Sequence, residues 1–277
     1  RTKVVHTMTE YANQTPREFD LTGRAVIVAG AGRGIGKGIA RVLAESGVQV
    51  MATALTETYM SQVAAELADA GHPIEFMTAD ATSGEDMAGV IEQALARFGR
   101  LDGLVNCVGD AISKPIVPLP DGDSDAGPLS DDEWRFILDV NLTEAFVGCR
   151  AAGDQFLKQR SGRVVNIAGF AAARGSANSV AYAAAKAGLT RMTQALALEW
   201  APYGVNVNAI APGMFPDPVT SPEAVERAAE RAASGKIPWR RPGQLREVGL
   251  LTHFMLSDAA DYMTGETVYL DGGAVFG

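Results

Sequence analysis

The chain has 277 residues, 47% of them hydrophobic, with a net charge of −9 at neutral pH and a pI near 4.9. That length and apolar content suit one α/β domain with a core on both faces of a sheet. The acidity argues against nucleic acid or an anionic membrane as partner, no apolar stretch approaches the ~18 residues of a membrane span, and the scattered His6, His72 and His253 form no metal-ligand spacing.

Residues 1–19 are polar and read as an N-terminal tail, leaving 20–277 as the folded domain. Short β-branched runs predict strands at 25–29, 48–52, 74–78, 104–108, 164–168, 205–210 and 267–270. Between them, helical patterns fall at 34–46, 57–70, 84–98, 130–160, 180–202 and 244–257. Near-continuous apolar strands separated by helices mean a parallel sheet covered on both faces. Right-handed crossovers then make a Rossmann-type, doubly wound parallel sheet of about seven strands the natural topology.

Two segments break this rhythm. Residues 110–129 are rich in Pro, Gly and Asp, and residues 213–240 carry Pro216, Pro218, Pro222 and Pro238 around a short Ala/Glu/Arg helix. The first is too long for an ordinary connector. Both follow strands, at the carboxyl edge where open sheets bind ligands, so they are expected to wall a substrate pocket; ordinary surface loops are the other reading. Cys107 sits in an apolar run and Cys149 in a helical pattern, with no CxxC spacing. They read as core thiols of a reducing compartment, which places the chain in the cytoplasm.

The first strand runs directly into Gly30-Ala31-Gly32-Arg33-Gly34-Ile35-Gly36. Glycine is needed where the backbone takes positive φ and where amides must approach a pyrophosphate without a Cβ in the way. The helix that follows points its N-terminus at the phosphates. A lone Gly-rich run is weak evidence; between the first strand and first helix of a βαβ unit it has the confirming context.

Farther along, Tyr182 and Lys186 lie one helical turn apart on one face. A free phenol titrates near ~10 and is a poor base at neutral pH, whereas a neighbouring ammonium stabilises the phenolate. The YxxxK pattern alone also describes an exposed pair on an Ala-rich helix; its place after the fifth strand is what gives it weight.

The spacing Gly30-xxx-Gly34-x-Gly36 resembles that of the short-chain dehydrogenase/reductase family, with Ala29 in place of the family's Thr. The resemblance covers roughly residues 20–277 and rests on five motifs in order. Asp80, followed by Ala81, matches the position that contacts adenine. Asn106-Cys107-Val108-Gly109 is a degenerate form of the family's NNAG, Pro212-Gly213 matches its PG, and Asp271-Gly272-Gly273 its C-terminal DGG. The resemblance implies a nicotinamide cofactor, held by the glycine turn with Ile35, Ala54, Leu55, Asp80, Ala81, Asn106, Gly109, Tyr182, Lys186, Pro212 and Gly213. It also implies a homotetramer assembled through the helices at 130–160 and 180–202.

NADP and NAD differ in what the end of the second strand must supply. An NAD site wants a carboxylate there for the ribose 2′-OH, and this sequence offers Thr53-Ala54-Leu55-Thr56. Arg33 has the chemistry to pair with a 2′-phosphate, and the stretch is similar to that of NADPH-using 3-oxoacyl-carrier-protein reductases. The expectation is NADP. Arg33 is common in NAD-dependent members as well and Leu55 supplies no hydrogen bond, so NAD is the alternative.

By the same resemblance Tyr182 is the general acid/base, Lys186 holds the nicotinamide ribose, and Asn141 anchors a water that links the lysine to solvent. One position departs. The family's Ser, thirteen residues before the Tyr, is here Gly169. Losing one such donor costs ~10²–10³ in rate. Ser176 or Ser179 reaching in, a polar group of the substrate, a water beside Gly169, and an impaired site are the competing explanations. The expected activity is interconversion of a small-molecule ketone and secondary alcohol, with a 3-oxoacyl thioester, a sugar acid and a cyclic or steroid-like alcohol as candidates. The alternative is a catalytically weakened nucleotide-binding regulatory or scaffold protein.

Overall fold

The computed structural model describes residues 16–120, 127–219 and 221–276. Seven strands, β1 (Ala25–Ala29), β2 (Gln49–Ala54), β3 (Glu75–Thr78), β4 (Gly103–Asn106), β5 (Gly162–Ile167), β6 (Val205–Pro212) and β7 (Thr267–Leu270), form one sheet in the order β3-β2-β1-β4-β5-β6-β7. Every neighbouring pair is parallel. The helices are α1 (Gly34–Glu45), α2 (Met60–Asp69), α3 (Gly84–Phe98), α4 (Asp131–Leu138), α5 (Glu144–Gln159), α6 (Val180–Trp200), α7 (Pro222–Ala233) and α8 (Leu245–Leu256).

The sheet is covered on both faces, which is why β1 is buried at all five positions rather than at alternate ones. Val26 and Val28 join Ile39 and Leu43 of α1 and Val248 and Met255 of α8 in one core. Ile27, pointing the other way, joins Met87 and Ile91 of α3 and Phe156 of α5 in a second. Strand order reverses between β1 and β4, so a crevice opens above their carboxyl ends. Open α/β sheets bind ligands at such a switch point.

Two departures from the sequence reading have local causes. The helix expected over 130–160 is two helices, because a π-helical turn, Asp139–Thr143, interrupts it. Asn141 sits in that turn with its Nδ2 donating to the Ile137 carbonyl at 2.9 Å; such insertions concentrate at functional sites. The tail expected over 1–19 is docked at its end: Arg17–Phe19 make a 3₁₀ turn, and the Phe19 ring lies 6.1 Å from that of Phe254. Residues 1–15 lie outside the described residues, as do 121–126 of the long segment after β4. The remainder of that segment has no helix or strand. It is pinned by the Leu129 amide donating to the Pro115 carbonyl at 2.8 Å and by a 2.5 Å ion pair between Lys114 and Glu133. The helix expected within 213–240 is α7, with Pro222 in the first turn where its missing N–H costs nothing. Cys107 and Cys149 are free thiols.

Candidate active site

The turn after β1 uses its glycines in two ways. Gly30 has φ +82, and a Cβ there would lie 2.7 Å from the Cys107 carbonyl oxygen; a Cβ on Gly36 would lie 2.0 Å from the Gly30 carbonyl oxygen. These two let the turn fold against itself and against the chain leaving β4. The Gly30 and Ala31 amides donate to the Thr53 carbonyl at 2.9 and 2.8 Å, which ties the turn to the end of β2. Gly34, with φ +55, has nothing within 4 Å of its Cβ position. It is the open one, at the N-terminus of α1, where backbone amides and the helix dipole favour an anion.

A cleft of about 740 Å³ runs from this turn along the carboxyl edge of the sheet. Gly30, Gly32, Arg33, Gly34, Ile35 and Gly36 line one end, with Ala54 and Leu55 from β2 and Asp80 and Ala81 from the chain after β3 beside them. Gly109, Asn141, Tyr182, Lys186, Pro212 and Gly213 line the other. Asp80 is held by its own loop: Oδ1 accepts from the Thr82 amide and hydroxyl at 2.8 and 2.7 Å. Arg33 is exposed at the cleft edge and makes no ion pair among the described residues.

Asn106 does not join them. It is fully buried, absent from the cleft wall, and its Nδ2 donates to Asn166 Oδ1 at 2.8 Å, pairing β4 with β5. Its side chain thus serves the sheet: a neutral amide deep in a sheet must spend its donors on neighbouring strands. Of the two long segments, Asp110 and Ala111 of the first and Gly213 and Phe215 of the second reach the cleft. Phe215 also lines a second cavity of about 240 Å³ with Trp239 and Arg241. Sequence reasoning missed Tyr59, Thr82, Phe170 and Phe215 in the wall; aromatics and threonines in loops carry no spacing that marks them.

Tyr182 and Lys186 come together as their one-turn spacing requires. Lys186 Nζ stands 5.8 Å from the Tyr182 ring centroid and donates to the Ile167 carbonyl at 2.9 Å. The ammonium is 3% exposed. Burial pulls its proton affinity below the usual lysine range, and the charges of Glu144 and Cys107 act in the opposite direction. Burial pushes the Tyr182 phenol up. Asn141 directs Nδ2 at the Asp110 carbonyl at 2.7 Å, and its buried Oδ1 has no protein partner. A Cβ on Gly169 would lie 3.0 Å from the Tyr182 hydroxyl oxygen, so the phenol leans into the room that a side chain there would need. Ser176 is exposed and Ser179 half-buried, and neither lines the cleft; in this structure they do not stand in for a hydroxyl at 169.

The wall fits a dinucleotide on three observations: the open glycine at the start of α1, the cleft length from that turn to Tyr182, and the unpartnered Asn141 oxygen beside Lys186. Among the described residues no cluster of three potential metal ligands occurs, and no helix is long and apolar enough to cross a membrane.

Residues 30–275 match the family described as enoyl-(acyl carrier protein) reductase. A 3-oxoacyl-[acyl-carrier-protein] reductase of Vibrio cholerae is 34% identical over 92% of this chain and 98% of its own. A 3beta-hydroxysteroid dehydrogenase of Eggerthella lenta is 32% identical over 92% and 94%. Among solved structures, a protein described as an NAD(P) dependent gluconate 5-dehydrogenase from Beutenbergia cavernae, with NADP bound at low occupancy, superimposes with a TM-score of 0.81. It is 38% identical and covers 94% of this chain and 100% of its own. With the seven-stranded sheet, the glycine turn and the Tyr182–Lys186 pair already in place, these matches establish that the chain belongs to the short-chain dehydrogenase/reductase family of oxidoreductases.

Proposed function

We propose that the protein is an NADP(H)-dependent oxidoreductase that interconverts a small-molecule ketone and a secondary alcohol. The observation that carries this reading is that the open glycine turn and the Tyr182–Lys186 pair face a single cleft. The bound nicotinamide would supply or accept the hydride. The glycine turn, Ala54, Leu55, Asp80, Ala81, Gly109, Pro212 and Gly213 would hold it. Tyr182 gives its phenolic proton to the carbonyl oxygen in reduction and takes it from the hydroxyl in oxidation. Lys186, fixed by the Ile167 carbonyl, stabilises the phenolate. Asn141 keeps the turn between α4 and α5 in register and offers Oδ1 to a water beside the lysine.

Two observations favour NADP over NAD. No carboxylate lines the cleft at Ala54 or Leu55, and Arg33 stands at its edge without an acidic partner among the described residues. The gluconate 5-dehydrogenase relative, with NADP bound, agrees. The relatives' substrates span acyl thioesters, steroids and sugar acids, and the fold does not choose among them. The homotetramer and the cytoplasmic location belong to the same proposal; exposed Phe146 on α5 and Leu198 on α6 support the first, and the two free cysteines the second. Calorimetric titration with NADPH and NADH, followed by turnover on a panel of 3-oxoacyl esters, steroid ketones and keto-sugar acids, tests the reading. NADPH binding at least tenfold tighter than NADH, with turnover of one ketone class, is the expected result. Absence of binding by either dinucleotide overturns it, and binding without turnover favours a regulatory protein.

A further inference from the structure

Glu144 is the first residue of α5, directly after the π-helical turn that holds Asn141, and its side chain is completely buried. Neither carboxyl oxygen has a hydrogen-bond partner in the protein. Two further buried acceptors close by in the chain and the fold are also unpartnered, Asn141 Oδ1 and Asn106 Oδ1. Their placement is fixed by two glycines. A Cβ on Gly109 would meet Asn141 Oδ1 at 2.9 Å and Lys186 Nζ at 3.5 Å, and a Cβ on Gly148, one turn beyond Glu144 on α5, would meet Asn106 Oδ1 at 2.3 Å. The region behind the catalytic lysine thus collects oxygen acceptors and lacks hydrogens to give them. An ionised carboxylate with no donor in such a place is strongly disfavoured, and a proton on it removes that penalty.

We propose that Glu144 is a positioning residue of the redox site, a buried carboxyl behind Lys186 whose ionisation sets how far the lysine can favour the Tyr182 phenolate. Burial raises the Glu144 carboxyl to about 8, and the Lys186 charge draws it back down. The ionisable groups that bear on it are Lys186 from α6, Cys107 after β4 and Cys149 on α5. While Glu144 keeps its proton, the pull of burial on the Lys186 ammonium is not offset by a carboxylate. Once it ionises, its negative charge holds the ammonium in place against that pull. The lysine therefore keeps the charge that favours the phenolate when Glu144 is ionised and tends to lose it when Glu144 is neutral. This assignment rests on Tyr182 and Lys186 acting as proposed above.

The test reads Tyr182 directly, without cofactor or substrate. Tyrosinate absorbance is titrated in the full-length protein and in Glu144→Gln, each with its Tyr182→Phe counterpart subtracted. Glutamine keeps the shape while removing the charge. The Tyr182 midpoint is expected to rise by about one pH unit in Glu144→Gln, because Lys186 loses the charge that keeps it protonated. An unchanged or lowered midpoint overturns the proposal. If Glu144→Gln does not fold, infrared spectra of the unmodified protein decide. An un-ionised carboxyl present at pH 7 and lost by pH 10 supports the proposal, and its absence at pH 7 overturns it. Failure of dinucleotide binding or turnover would leave both readouts standing, so the two readings fail separately.

Discussion

The two ends of the cleft recognise their ligands by different means. At the glycine end the groups that matter are backbone amides, and their position is forced by contacts that tolerate no Cβ, 2.7 Å at Gly30 and 2.0 Å at Gly36. At the tyrosine end the groups are side chains, Tyr182, Lys186 and Asn141, whose charge states depend on burial and on neighbours from other elements. The first arrangement allows almost no variation. The second allows much, and it is here that Gly169 and Glu144 appear. Binding and turnover are accordingly expected to respond separately to substitutions at the two ends.

The largest test of that separation is Tyr182→Phe. It is expected to lower kcat by ~10³-fold or more, with the NADPH dissociation constant changed by no more than about threefold, because one hydroxyl of the wall is lost while the glycine turn is untouched. Steady-state kinetics and calorimetry on the same preparation check this; loss of binding in step with turnover would break the comparison. Next in size is position 169. Any side chain there meets the Tyr182 hydroxyl at 3.0 Å, so Gly169→Ser carries a crowding cost along with its new donor. Gly169→Ala carries the same crowding without the donor. The serine variant is expected to exceed the alanine variant in kcat by about 10²-fold, and equal rates would mean that a hydroxyl at 169 contributes nothing here.

The fold and the glycine end were legible because each is written in local patterns. Apolar runs marked all seven strands, with ends misplaced by about one or two residues, as at β2 and β4. Glycine spacing located the turn, and the strand-end positions Asp80, Pro212 and Gly213 line the cleft. The tyrosine end was legible only in part. The π-helical turn at Asp139–Thr143 leaves the apolar periodicity of its flanks intact, so one long helix is what the pattern predicts. Asn106 was assigned by a motif whose residues alternate sides of a strand, and its own side points into the core. Glu144 was invisible: a glutamate in an amphipathic helix reads as solvent-facing, and only the packing of α5 on β4 and α6 buries it.

Smaller effects sharpen the glycine end. Arg33→Ala is expected to raise the KM for NADPH by about tenfold and leave that for NADH within about twofold, since an exposed guanidinium that pairs with a 2′-phosphate has no equivalent task toward a hydroxyl. Equal effects on both cofactors would instead assign Arg33 to the shared diphosphate.

The smallest expected effect concerns a competitor already at the turn. Asp217, in the Pro-rich segment after β6, is 7% exposed, and its Oδ2 accepts from the Gly34 amide at 2.8 Å. Its Oδ1 accepts from the Val219 amide at 3.0 Å, which folds the segment over the start of α1. The amide of Gly34, the turn glycine with open space at its Cβ position, is thus engaged by a carboxylate, in the position and with the charge that suit a phosphate oxygen. A diphosphate arriving there must displace Asp217 or share the helix terminus with it, and two anions at one terminus oppose each other. Asp217→Asn keeps an oxygen acceptor for the Gly34 amide and removes the charge, so NADPH affinity is expected to rise by about threefold at low salt and to keep most of that gain at ~1 M salt, because salt screens a buried charge little. Calorimetric titrations at the two salt concentrations check it. A loss of affinity in the asparagine variant would mean that the carboxylate organises the site for the cofactor, and the backbone end of the cleft would then depend on a side chain as much as the tyrosine end does.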